Sequence, residues 1–98
     1  MAASLSDLFD GAQTSDGTSA AQAISAGDYV LIVQGTMDGA TVFLEGNVFD
    51  SSYDTIDSRL DMDATGFRVF RMCAGNVKAT VKDAGSSTSV KVGILAAQ

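Results

Sequence analysis

The sequence has no histidine, no proline and no tryptophan, and a single cysteine, Cys73. Without histidine the commonest general base and metal ligand is missing. With one cysteine as well, a Cys/His dyad, a Ser/His/Asp triad and the usual zinc sites cannot be assembled. An intramolecular disulfide is excluded too, and Cys73, set in a hydrophobic stretch, is expected to be a small buried apolar residue. Charge is scarce: 18% of residues carry one, below the usual quarter, with 6 Lys plus Arg against 12 Asp plus Glu for a net charge of -6. A duplex phosphate backbone would be repelled over most of such a surface, so no nucleic-acid partner is expected. No segment approaches the roughly 20 apolar residues of a spanning helix. The opening MAASLSDLFDGAQTSDG lacks the basic start and apolar run of a signal peptide. No membrane association is expected, and folding in a cytoplasm is.

What is present is 98 residues, 46% hydrophobic, enough for one domain. A chain of this size buries only about two-thirds of its unfolded surface, so contacts with subunits or a partner would add to its stability. Residues 1–17 are small, polar and glycine-containing, with one apolar cluster at Leu5, Leu8 and Phe9. Those positions share one side of a short helical turn that Ser4 or Ser6 could cap. They are expected to form a flexible arm, either a frayed terminus or an arm whose apolar cluster docks on a neighbouring subunit, leaving residues 18–98 as the folded domain.

From Thr18 onward the period is two. TSAAQAIS is a weak first strand. DYVLIVQG is a strong second one, apolar on both faces and therefore expected to be central and covered on both sides. ATVFLEG follows across Asp38-Gly39, the strongest hairpin signal in the chain, and places bulky Phe43 on the same face as Thr41 and Glu45. YDTIDSRL and GFRVFRM are a fourth and a fifth strand, and NVKATVK and TSVKVGILA alternate cleanly as two half-buried strands. The links Ala74-Gly75 and Asp83–Ser87 are short, glycine-bearing and suited to hairpins. About seven short strands with no long helix predict an all-β fold, a small antiparallel sandwich or flattened barrel.

Chemistry is hard to find in these residues. GTMDG turns between strands rather than opening a helix, so it is not a phosphate loop. In the acidic stretch from Asp50 to Asp63, Asp61-Met62-Asp63 followed by Gly66 faintly resembles the start of a calcium loop, with Asp57, Asp61 and Asp63 as weak candidate ligands, but the later ligands are missing, and a solvated acidic loop is the simpler reading. Arg59, Arg68 and Arg71 could pair with those aspartates on an ordinary wet face. Paired carboxylates for sugar hydrolysis need a cleft that a domain this small hardly provides. No enzyme activity and no cofactor are expected. The aromatic residues offer another route, since exposed rings stack on sugars or anchor interfaces. Phe43, Phe49, Tyr53 and Phe70 are the candidates for exposure, while Tyr29 and Phe67 are assigned to the core.

The order of features, AQAISAGDYVLIVQGTMDGATVFLEG, then DSSY, then AGNVKATVKDAGSSTSVKVGI, resembles a class of short bacteriophage virion proteins. In that class a glycine-started strand leads into a GT-x-x-GAT hairpin, an Asp-led turn with an aromatic, and a closing AG-x-x-(K/R)-A hairpin. Here those elements are Gly27 to Val33, Gly35 to Thr41, Asp50 to Tyr53 and Ala74 to Ala79, within a likeness spanning roughly Ala21 to Leu95. The Asp-led turn departs from the class, reading Asp-Ser-Ser-Tyr where a glycine and a tryptophan are common. The resemblance implies a virion structural protein, a head decoration or cement protein bound to the major capsid protein or another virion protein, or the capsid-bound part of a head fibre. It also implies a homo-oligomer, commonly a trimer; the apolar arm and the aromatic survey make Leu5, Leu8, Phe9, Phe43, Tyr53 and Phe70 the expected interface residues. The alternative is a carbohydrate-binding or other ligand-binding sandwich module that uses Phe43, Tyr53 or Phe70 as a stacking platform.

Overall fold

The computed structural model describes residues 5–9, 11–47, 53–56 and 60–96. Its strands are β1 (Leu5–Asp7), β2 (Gly17–Thr18), β3 (Gln22–Ile24), β4 (Gly27–Thr36), β5 (Thr41–Asn47), β6 (Asp54–Thr55), β7 (Gly66–Met72), β8 (Gly75–Lys82) and β9 (Ser89–Ala96). Among the described residues there is no α-helix. Two antiparallel sheets form a sandwich, as the alternating pattern predicts. The first runs β1-β9-β4-β7 and the second β2-β8-β5-β6, with β3 also paired to β8. The radius of gyration of 12.6 Å is that of a close-packed domain of this length.

The core lies between the sheets and follows the period of two. Leu31 and Val33 of β4, Val90, Val92 and Ile94 of β9, Val42 and Leu44 of β5 and Val77, Ala79 and Val81 of β8 are all buried. Tyr29 and Phe70 stack with ring centroids 5.6 Å apart, and Leu8, Leu60 and Met62 complete the same cluster. Met62 reaches it because its N–H and C=O both bond to Val42, at 2.8 Å each.

Three links expected to be hairpins are instead crossings between sheets. Asp38 and Gly39 do adopt positive φ, at 47° and 86°, and Ala40 N–H donates to Met37 C=O at 3.0 Å, so the tight turn forms. The strands on either side of it then part: Thr36 pairs with Ser89 of β9 in the first sheet, Thr41 with Lys82 of β8 in the second. Residues 83–88 and 73–74 likewise carry the chain from one sheet to the other. The first two crossings brace each other. Asp38 Oδ2 accepts from Ser87 N–H at 2.8 Å, and the Thr88 hydroxyl donates to Met37 C=O at 2.8 Å. Hairpins and crossings need the same turn residues, and alternation fixes which face is apolar without fixing which sheet the next strand joins.

Other expectations need correction. The first strand is split into β2 and β3 at Ser19, whose buried hydroxyl takes the Ala79 N–H at 2.9 Å while its own N–H donates to Ala79 C=O at 2.8 Å. Leu5–Asp7 is not a helical turn but a strand on the edge of β9. Leu8 is a core residue and Phe9 packs against that core, so these two residues of the cluster expected on a free arm face inward, with Gln13 bridging Val90 further along. Leu8 and Phe9 gain more by covering the end of the core than by staying in water. Cys73 is exposed, because it sits in a crossing link rather than in a strand. Ser4, Phe49, Asp57, Arg59 and the Asp50–Ser52 part of the turn fall outside the described residues.

Candidate functional site

A two-layer sandwich covers one face of each sheet and leaves the other in water, so the two outer faces are the surfaces available for work. They differ in chemistry.

The outer face of the second sheet is polar and internally satisfied. Phe43 stands opposite Thr80 and Glu45 opposite Lys78. The Thr80 hydroxyl contacts the Glu45 carboxylate and the Thr18 hydroxyl, each at 3.1 Å. Lys82 Nζ lies 5.9 Å from the centroid of the half-buried Phe43 ring, and Lys78 Nζ 4.2 Å from that of Tyr53. These lysines stand near the rings as cation–π partners. Phe43 lines an open groove of about 540 Å³ with Asp16, Thr18, Glu45, Thr80 and Lys82. Tyr53 does not line that groove, and Phe70 is only 7% exposed and belongs to the core of the opposite sheet.

The outer face of the first sheet carries an apolar patch, with Gln34 and Lys91 beyond it at one end and Asp28 and Arg71 at the other. On β7 the alternation sends Phe67, Val69 and Arg71 outward while Phe70 goes in. Phe67 is 59% exposed and Val69 72%, the two exposed large hydrophobic residues among those described. Register extends them into a patch: Val69 stands beside Val30, which stands beside Leu95, and Phe67 stands beside Ile32. Val30, Ile32 and Leu95 are half-buried, sheltered by these neighbours and by no further layer among the described residues. The double apolarity of β4 therefore has a different cause from the one expected. The strand is central in its sheet, but only one of its faces is covered.

The sequence pattern places Phe67 in the core and gives Val69 no distinct role, although it holds a signal for both. A chain with strands apolar on both faces and no helix to cover them must display one of those faces. GFRVFRM could not show which, since its two faces carry similar residues.

One ion pair marks a border of the patch. Arg71 Nε donates to Asp28 Oδ1 at 2.7 Å and Arg71 Nη2 to Asp28 Oδ2 at 3.2 Å, a two-pronged contact between cross-strand neighbours. The hydrogen bonds from Arg71 hold the Asp28 carboxyl below its ordinary pKa, against slight desolvation and with help from the guanidinium charge. A depressed carboxyl contributes stability above its unfolded pKa and loses it as pH falls through the lower folded value, so the contact weakens only in acid. Both groups are solvent-exposed, and the effect on stability is small. In Arg71→Gln the Asp28 carboxyl is expected to titrate at higher pH than in the parent, read by carboxyl-carbon NMR. An unchanged midpoint would show that the guanidinium does not hold it.

Asp61 and Asp63 are exposed on either side of inward-pointing Met62, and no group of three or more Asp, Glu or Cys side chains that could hold a metal ion occurs among the described residues. No helix of the described residues is long and apolar enough to cross a membrane. No family model, curated protein or solved structure matches this chain.

Proposed function

We propose that this chain is a non-enzymatic virion structural protein, a head decoration or cement protein that binds the capsid shell in many copies through the outer face of its first sheet. The observation that carries this reading is the exposure of Phe67 and Val69 on an apolar sheet face, opposite a face that is polar and self-satisfied. Contiguous exposed apolar surface on a small domain marks an interaction site. The likeness of the Gly27–Thr41 and Ala74–Ala79 segments to short phage virion proteins supplies the kind of partner.

Such a protein needs only a modest interface per copy. Where copies touch one another on a repeating lattice, each attachment raises the effective concentration of the next. The low charge and net -6 of the chain suit contact through apolar surface rather than attraction to nucleic acid.

The test is co-purification. The parent protein is expected in many copies on assembled particles, and recovery solely as free protein would overturn the reading. The double variant Phe67→Ser/Val69→Ser should fold with a stability change of about 1 kcal/mol or less, because both side chains are mostly exposed. It should nevertheless be lost from the particles. Retention of the folded double variant at parent levels would place the attachment surface elsewhere.

A further inference from the structure

Strands at the margin of a sheet present unpaired N–H and C=O groups, and proteins commonly blunt them by keeping them very short or charged. Here β1 has 3 residues, β2 has 2, β3 has 3 and β6 has 2. The remaining margin is different. β7 runs for 7 residues at the end of the first sheet, and among the described strands it pairs only with β4. It contains neither lysine nor proline. Of its two arginines, Arg71 is already engaged by Asp28, which removes much of its power to repel a neighbour. Arg68 is exposed as well, its Nη1 donating to the Phe67 C=O at 3.0 Å, so with Phe67 and Val69 also exposed this is a long edge with only its arginines for protection among the described residues.

We propose that β7 pairs antiparallel with β7 of a second copy of this chain, in the register centred on Val69, joining two first sheets into one continuous sheet. The geometry of the strand argues for that occupant. Two strands related by a two-fold axis perpendicular to the sheet run antiparallel, and opposed residues must lie on the same face, so the axis passes through a residue that meets its own copy. Val69 is the middle residue of Gly66–Met72, and the register centred on it pairs the strand over its whole length. Gly66 then meets Met72 of the second copy, Phe67 meets Arg71, and Arg68 meets Phe70.

Charge selects the same register. Centring on Arg68 or on Arg71 sets an arginine directly against itself, which is destabilising, and centring on Phe70 or nearer either end leaves part of the strand unpaired. With Val69 at the centre, each guanidinium faces a phenylalanine instead. Arg71 lies beside the Phe67 ring of the second copy, a cation–π contact, and keeps its own Asp28 on the other side. The Val30–Val69 row of each copy runs into that of the other, giving an unbroken apolar row across the joint. This pairing does not depend on the virion reading. It is a property of the chain in solution, so its failure and the failure of particle attachment are read in different experiments.

Sedimentation equilibrium of the full chain is expected to show a species of twice the 10.1 kDa chain mass, forming at or below about 1 mM protein. Val69→Lys places two lysines opposite each other at the axis and should weaken the dimer by at least about tenfold. Since Val69 is 72% exposed, the urea midpoint of the diluted monomer should hardly change. Register is read with cysteines in a Cys73→Ser background under mild oxidation. Val69→Cys should cross-link to itself, as should a mixture of Phe67→Cys with Arg71→Cys. Phe67→Cys alone should not, because its two copies would stand about 13 Å apart along the strands. A parent that stays monomeric to about 1 mM, a Val69→Lys dimer as tight as the parent's, or efficient self-linking of Phe67→Cys would each overturn the proposal.

Discussion

Deleting residues 1–17 is expected to destabilise the protein by about 3–5 kcal/mol or more, a large part of the roughly 5–15 kcal/mol that holds a domain of this kind together. The sequence alone suggests the opposite, a dispensable arm on a domain that begins at Thr18. Several contacts are lost at once. Leu8, 6% exposed, leaves a hole at the end of the core, and a buried leucine cut back to alanine commonly costs about 2–5 kcal/mol by itself. The bond from Leu8 N–H to Val92 C=O at 2.9 Å goes with it. So do the paired bonds between Gln13 and Val90, at 2.7 and 3.0 Å, and the bond from Ala84 N–H to the Asp16 carboxylate at 2.8 Å. What remains also exposes the edge of β9, which β1 covers in the intact chain.

The measurement is urea unfolding of the truncated and intact chains, with Leu8→Ala as a control that removes only the core contact. Leu8→Ala should account for about 2–4 kcal/mol and the truncation for clearly more. The truncated chain should also scatter light at concentrations where the intact chain stays clear, since an uncovered edge strand is a template for pairing. Equal urea midpoints for the truncated and intact chains would show that the segment contributes nothing to the fold.

This contrast marks what the residues make legible. Period-two alternation identifies β8 and β9 and the burial of Val77, Ala79 and Val81 against Val90, Val92 and Ile94, because a strand half in water must be written that way. The all-β sandwich follows from the same pattern. Connectivity does not, since Asp38-Gly39 offers positive φ to a hairpin and to a crossing alike, and only the pairing of Thr36 with Ser89 and of Thr41 with Lys82 separates them. The first residues mislead for a related reason. Leu5, Leu8 and Phe9 fit one side of a helical turn as well as they fit a strand end folding over a core, and three apolar residues are too few to fix a period.

The candidate site was half visible. DYVLIVQG announces apolar residues on two faces, and the structure assigns one of those faces to Val30 and Ile32 at the surface. Aromatic residues gave a poorer guide. Phe70 and Phe67 are three residues apart on one strand, so they point to opposite faces. Nothing local to GFRVFRM states which face meets the core. That is decided by Tyr29, which stacks on Phe70 from the neighbouring strand. The site is thus a consequence of packing one sheet on another, and it becomes readable only once the inner partner of each strand is known.

The second large effect is expected at a position that makes no side-chain contact at all. Gly35→Ala should cost about 3 kcal/mol or more, from two separate causes. Gly35 has φ of +117°, a conformation that L-residues avoid. A Cβ placed there would also collide with the Ser89 carbonyl oxygen and come within 3.2 Å of the Val90 Cα, both in the paired strand β9. Neither obstacle is the end of a flexible side chain, so relief requires β4 and β9 to move apart. Gly11→Ala separates the two causes. Gly11 has a similar φ of +124°, but nothing lies within 4 Å of a Cβ built there, so this variant should show the conformational cost alone, about 1–2 kcal/mol. The difference between the two variants in urea unfolding measures how closely the strands approach. If Gly35→Ala is no worse than Gly11→Ala, β4 and β9 are not held at that spacing. If it is worse by the expected margin, the narrow joint at Gly35 is what fixes β4 against β9, and with it the row of Val30 and Leu95 on the outer face beside Val69.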